Sequence, residues 1–194
     1  RENIRSLCFV LWKAVEETFP GAVLRFEAPA SKGYYFTLDL GRELTLDDVQ
    51  TLKRRMREIV DSGAKFKRLE CTTEEAVKLF RERGMDKKAK LVEGLGKLYT
   101  YYYKLEDSIN YFYGPLVPST DYLELFDLVK YYDGMLLRVP REDGVKLGDV
   151  VKQEKMLNAF GENRKFERFF GVSTVGDLNE ATAKGRAGDI VKVA

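Results

Sequence analysis

The stretch Phe126-Asp127-Leu128-Val129-Lys130-Tyr131-Tyr132-Asp133-Gly134-Met135-Leu136-Leu137-Arg138-Val139 sets the fold class of this chain. Two apolar runs, 126–132 and 135–139, flank Asp133-Gly134, a pair favoured in tight hairpin turns because its residues tolerate positive φ. The strands must then be antiparallel. Upstream, 97–105 and 108–113 are rich in tyrosine, which suits pleated, half-buried surfaces. Residues 23–27 and 34–40 read as two more strands across Ala30-Ser31-Lys32-Gly33, and 65–71 as a short one. Between the strands lie helices. Ile4, Leu7, Cys8, Leu11, Trp12, Val15 and Phe19 recur at helical spacing before Pro20-Gly21. Thr45 with Asp48 resembles a capping box, and Leu46, Val49, Leu52, Met56, Ile59 and Val60 form the inward face of the helix it opens. Ser62-Gly63 closes that helix. Thr72 with Glu75 is a full capping box for a helix ending at Gly84, and 86–93 is a lysine-rich helical stretch. From Val145 the pattern is helical again, anchored by Met156, Phe160, Phe166, Phe169 and Phe170, with Thr174 and Asp177 capping a last helix. Segregated helices and mostly antiparallel strands predict an α+β fold. A domain over 1–144 is expected to precede a helical connecting segment over 145–194.

None of the 194 residues is histidine. That removes the side chain that titrates near neutrality and most often binds metal, and with it histidine triads and HExxH zinc sites. Cys8 and Cys71 lie in separate elements without CxxC spacing, so they read as reduced thiols of a cytoplasmic protein and not as a zinc framework. A net charge of +2 gives no general drive toward nucleic acid. Charged residues make up 33% of the chain, above the usual ~25%, and their Lys, Arg and Glu bias fits a heat-adapted source. No apolar run approaches the ~20 residues that cross a membrane. The opening Arg1-Glu2-Asn3 carries no signal peptide, and Val193-Ala194 falls within a helical pattern, so the chain is expected to be a piece of a longer protein.

Other constellations read as structure. Gly94-Leu95-Gly96-Lys97 lacks the first Gly and the final Ser/Thr of a phosphate loop. Asp47-Asp48 and Glu74-Glu75 sit in first helical turns, where the helix dipole favours them. Lys53-Arg54-Arg55 with Arg57 reads as a solvated helix face ahead of an RNA-binding patch. Tyr99, Tyr101 and Tyr103 share one strand face and Tyr102 the other; they read as packing residues ahead of base-stacking platforms.

The run from Arg5-Ser6-Leu7-Cys8-Phe9 to Phe19-Pro20 resembles the opening helix of the second additional domain of threonyl- and alanyl-tRNA synthetases, their editing domain. Lys32-Gly33-Tyr34-Tyr35-Phe36, Gly41-Arg42-Glu43-Leu44-Thr45, Lys53-Arg54-Arg55-Met56-Arg57-Glu58 and Tyr113-Gly114-Pro115-Leu116-Val117-Pro118 follow that domain in order, over roughly residues 4–140. Gly114 to Thr120, Leu125 to Gly134 and Val175 to Glu180 resemble the variant found ahead of the P-loop kinase in uridine kinase-like proteins. The resemblance implies an editing-domain-like fold and a parent that is an ATP-dependent nucleoside kinase. ATP and Mg would then belong to the kinase domain, with no cofactor in this chain.

At the chemical positions the chain departs from the family. Arg5 and Phe9 stand where the resemblance puts a histidine pair, and Phe112 and Leu116 where it puts a cysteine and a histidine. A guanidinium is no base, and neither Phe nor Leu offers a lone pair, so these positions cannot hydrolyse an aminoacyl ester. The expectation is a non-catalytic binding or regulatory module. Its cleft would take a small anionic ligand, a nucleotide or an amino acid, on Arg5, Lys32, Tyr35, Lys130 and Arg138, with Phe9, Phe112 and Leu116 as the apolar wall. The expected partner is its own kinase domain. The alternatives are a tRNA-binding module, a deacylase with non-histidine chemistry, and a scaffold alone.

Overall fold

The computed structural model describes residues 2–139. The helical segment expected beyond Val145 lies outside the described residues. The element order is α1 (Glu2–Thr18), β1 (Val23–Ala30), β2 (Gly33–Asp39), α2 (Leu46–Asp61), β3 (Phe66–Thr72), α3 (Thr73–Glu82), α4 (Asp86–Gly94), β4 (Tyr99–Leu105), β5 (Ser108–Asn110), a 3₁₀ turn at Thr120–Leu123, β6 (Asp127–Tyr131) and β7 (Gly134–Arg138). The strands form two antiparallel sheets, ordered β1-β2-β7-β6 and β3-β4-β5. This is the α+β architecture that the hairpin predicts.

Alternation divides the four-stranded sheet into two faces. Leu24, Phe26, Phe36, Leu38, Leu128, Met135 and Leu137 share the main core with α1 and α2, while Tyr35, Tyr131, Leu136 and Ala30 form a second cluster on the other face. α1 is buried on every side: Ile4 through Val15 are all buried, including Arg5, Ser6 and Lys13. A helix apolar nearly all round is a core helix, and here Phe9 meets Phe66 of the three-stranded sheet at 6.0 Å between ring centroids. Lys13 survives burial because its Nζ reaches Glu17, Asp107 and Ser108 at 3.1, 3.2 and 3.0 Å, tying α1 to the β4–β5 turn.

Three local expectations are corrected. The β6–β7 turn is Tyr132-Asp133, one residue earlier than Asp133-Gly134, with Tyr132 at φ 51°. Gly134 instead pairs with Tyr131 inside the sheet, where a Cβ would run into the Phe36 carbonyl oxygen. Leu46 is 57% exposed because it occupies the first helical position and turns away from the core. β5 stops at Asn110 and not at Tyr113, since the carbonyls beyond it are taken by side chains.

Candidate functional site

The segment 111–117 has no regular secondary structure, yet its backbone is held at almost every residue. Lys88 donates to the Tyr111 carbonyl at 2.6 Å, Tyr101 to that of Phe112 at 3.1 Å, Tyr103 to that of Gly114 at 3.0 Å, and the Arg5 Nε to that of Pro115 at 3.1 Å. The Gly114 N–H donates to the Tyr101 hydroxyl, and the Val117 N–H to the Ser6 hydroxyl at 3.0 Å. Buried backbone polar groups need partners, and here side chains from α1, α4 and β4 supply them. Gly114 lies at φ +120°, and a Cβ on it would stand 3.1 Å from the Arg5 Cζ. Both its conformation and the close guanidinium require glycine.

Of the four positions that the resemblance assigns to hydrolysis, Phe9 and Phe112 are in direct contact, and Arg5 and Leu116 flank the Gly114-Pro115 turn. Phe9 and Phe112 stack at 5.5 Å between centroids, tilted by 37°, and are 0% and 1% exposed. Leu116 is buried in the same core cluster, and Arg5 lies beside it against Gly114 and Pro115. Aromatic packing at that separation fills the space at interior density.

The five candidate ligand residues are not gathered into one cleft. Arg5 is on α1, against Pro115. Tyr35 and Arg138 lie on the other face of the four-stranded sheet, where the Tyr35 hydroxyl donates to Asp133 and its ring meets Tyr131 edge-on. Burial, then Asp133 beside it, pushes the Tyr35 hydroxyl pKa up. Lys130 donates to the Tyr132 carbonyl, and Lys32 is exposed at the tip of the β1–β2 turn, with φ 62°.

Sequence reading missed Lys88. It is 0% exposed, and its Nζ lies 5.1 Å from the centroid of the Phe112 ring. The signal was present, since Lys88 falls in register with the buried Met85, Ala89 and Val92 on the apolar stripe of α4. It was hidden inside a run of solvated lysines. Asn110, also fully buried, accepts the Tyr111 N–H, and its Nδ2 has no hydrogen-bond partner among the described residues.

Reactive groups are scarce around this centre. Burial pushes the Cys8 thiol far up, and partial burial with Glu75 nearby raises that of Cys71, so neither is a ready thiolate. Among the described residues no three Cys, Asp or Glu side chains converge on a possible metal position. No helix there is long and apolar enough to cross a membrane. The basic face of α2 is largely spent on internal contacts. Lys53 pairs with Asp127 at 2.7 Å and Arg55 with Glu17 at 2.7 Å, while Arg57 lies 4.3 Å over the Phe126 ring.

No protein-family model matches the chain. It is similar to the threonine–tRNA ligase of Geobacter sp. (strain M21), with 29% identity over 166 residues, 82% of this chain and 26% of that ligase. The ligase of Citrifermentans bemidjiense is 28% identical over the same shares, and that of Marinobacter nauticus is 32% identical over 126 residues, 64% of this chain and 20% of the ligase. The chain thus spans about a quarter of the length of the first of these relatives. Similarity of that extent, on an α+β fold with antiparallel sheets and, among the described residues, four packed helices, supports a threonyl-tRNA synthetase-like editing domain.

Proposed function

We propose that this chain is a non-catalytic, editing-domain-like module that binds or regulates within a cytoplasmic, uridine kinase-like parent. ATP and Mg would act in the parent's kinase domain. The observation that carries the non-catalytic reading is the Phe9–Phe112 contact, with both rings buried where hydrolysis would need lone pairs and water. The test is single-turnover deacylation of freshly charged Ser-tRNA and Ala-tRNA by the 194-residue chain. The expected rate is background; a faster rate that vanishes when a residue of the 111–117 segment is changed overturns the reading.

A second reading is a pocket for a small anion, a nucleotide or an amino acid. It is favoured by the approach of two buried cationic side chains, Arg5 from α1 and Lys88 from α4, to the one short segment 111–117. Its expected mark is a ligand-dependent rise in melting temperature that Arg5→Met removes. Absence of any shift across nucleotides and amino acids counts against it.

A further inference from the structure

β3 is an edge strand of the three-stranded sheet. β4 pairs with all seven residues of β3, from Phe66 against Leu105 to Thr72 against Tyr99, without a bulge. On the outer side of β3, the Phe66 N–H donates to the Pro118 carbonyl, and on the inner side the Thr73 N–H donates to that of Leu98. Alternation along the strand then fixes the rest. The N–H and C=O of Phe66, Arg68, Glu70 and Thr72 point outward, and those of Lys67, Leu69 and Cys71 point to β4. Thr72 is occupied by its capping box with Glu75. Arg68 and Glu70, both exposed, have no backbone partner on that side among the described residues. No proline or bulge protects the edge.

An antiparallel partner strand can meet this edge only with outward residues opposite outward residues. For a second copy of the same strand related by a two-fold axis, three registers satisfy that condition within the free stretch. Centring on Arg68 sets arginine against arginine, and centring on Glu70 sets glutamate against glutamate. Centring on Leu69 sets Arg68 of each copy opposite Glu70 of the other, with four new main-chain hydrogen bonds and Leu69 meeting Leu69 on the axis. Like charges directly opposite destabilise a ladder and unlike charges support it, so only this register is favourable.

The flanking surface agrees. In that register Lys67 of one copy lies opposite Cys71 of the other. Cys71 borders a groove of about 330 Å³ that is also lined by Glu75, Lys78, Leu79, Glu82 and Tyr102. Two carboxylates against one lysine leave that groove a negative balance for the incoming ammonium. On the other face, Arg68 already lies 4.2 Å over the Tyr101 ring and 2.6 Å from its own Glu70. Pairing would close two arginines and two glutamates into a ring of alternating charge. The ladder ends at Phe66, whose N–H Pro118 has taken.

We propose that the outer edge of β3 is a self-association surface, on which two copies of this chain join antiparallel about Leu69 into one six-stranded sheet. A ladder this short buries less than a standard interface, so the dimer is weak and concentration-dependent. Sedimentation velocity of the whole chain across a concentration series tests it, together with Arg68→Glu and Glu70→Arg, whose folds are checked by circular dichroism. Each single variant sets like charge against like and should weaken self-association at least tenfold. An equimolar mixture of the two restores unlike charge at every position and should form a heterodimer that neither forms alone. Dimerisation of either variant at wild-type strength overturns the proposal. So does a folded mixture that stays monomeric, or a wild-type chain that stays monomeric up to about 1 mM.

Discussion

Ser6 serves two backbone groups with one oxygen, donating to the Glu2 carbonyl at 2.7 Å and accepting from the Val117 N–H at 3.0 Å. It is 0% exposed, so Ser6→Ala strands the Val117 N–H without water. The expected loss is about 1–3 kcal/mol, read from the urea midpoint at unchanged slope. A loss within error would mean that Val117 finds another acceptor. At this scale the sequence hid much of what matters. Ser6 looks like any helical serine, and Lys88 like any lysine of a solvated run. Their roles depend on a segment far along the chain, and spacing within a helix says nothing about which distant carbonyl will face it. Gly114 was visible in the Gly-Pro motif, but its reason, the guanidinium of Arg5 against its Cα, was not.

At the scale of the element, local chemistry was readable. The Thr45 side chain accepts from the Asp48 N–H and the Asp48 carboxylate from the Thr45 N–H, a reciprocal cap that the sequence pattern anticipates; Thr72 with Glu75 repeats it. Arg42 adds a fork onto Asp48 at 2.7 and 2.9 Å. That guanidinium, and then the hydrogen bonds from Thr45, hold the Asp48 carboxyl well below the usual carboxylate range. A carboxyl depressed in the folded state contributes stability above its unfolded pKa of ~3.9, and that contribution is lost as pH falls through the folded value. Glu16 and Glu27, raised by burial, act in the opposite sense. Asp48→Asn is therefore expected to lower stability at pH 7 and to flatten its decline below pH ~4, seen in melting temperatures from pH 7 to 2. An equally steep decline in the variant would remove Asp48 from the account. β5 was overextended for a reason of the same kind: strand propensity in 111–113 is real, but the carbonyls there bond to side chains and leave no ladder to continue.

For the whole molecule, the α+β class and the antiparallel strands followed from turn and period signals, whereas the division into two sheets did not, because the β2–β7 pairing joins strands far apart in the chain. The four positions that the resemblance assigns to chemistry were legible only through that resemblance, and the placing of Tyr35 and Arg138 on the far face of the four-stranded sheet was not legible at all. Which face of a sheet meets α1 is decided by the packing of both sheets, a property no single window carries. The chain is expected to hold no stoichiometric zinc, since it contains no histidine and Arg5, Phe9, Phe112 and Leu116 stand at the positions that the resemblance would assign to donors. Elemental analysis of tag-free protein after chelation checks this, and one retained zinc per chain refutes it. The interlocked rings of Phe9 and Phe112 also bear on how either position tolerates change. A histidine in place of Phe9 alone would leave a gap against Phe112, and a cysteine in place of Phe112 alone would leave one against Phe9. Each single exchange costs stability and creates no pair of donors. The two rings behave as one unit, and neither can be altered except at the other's expense.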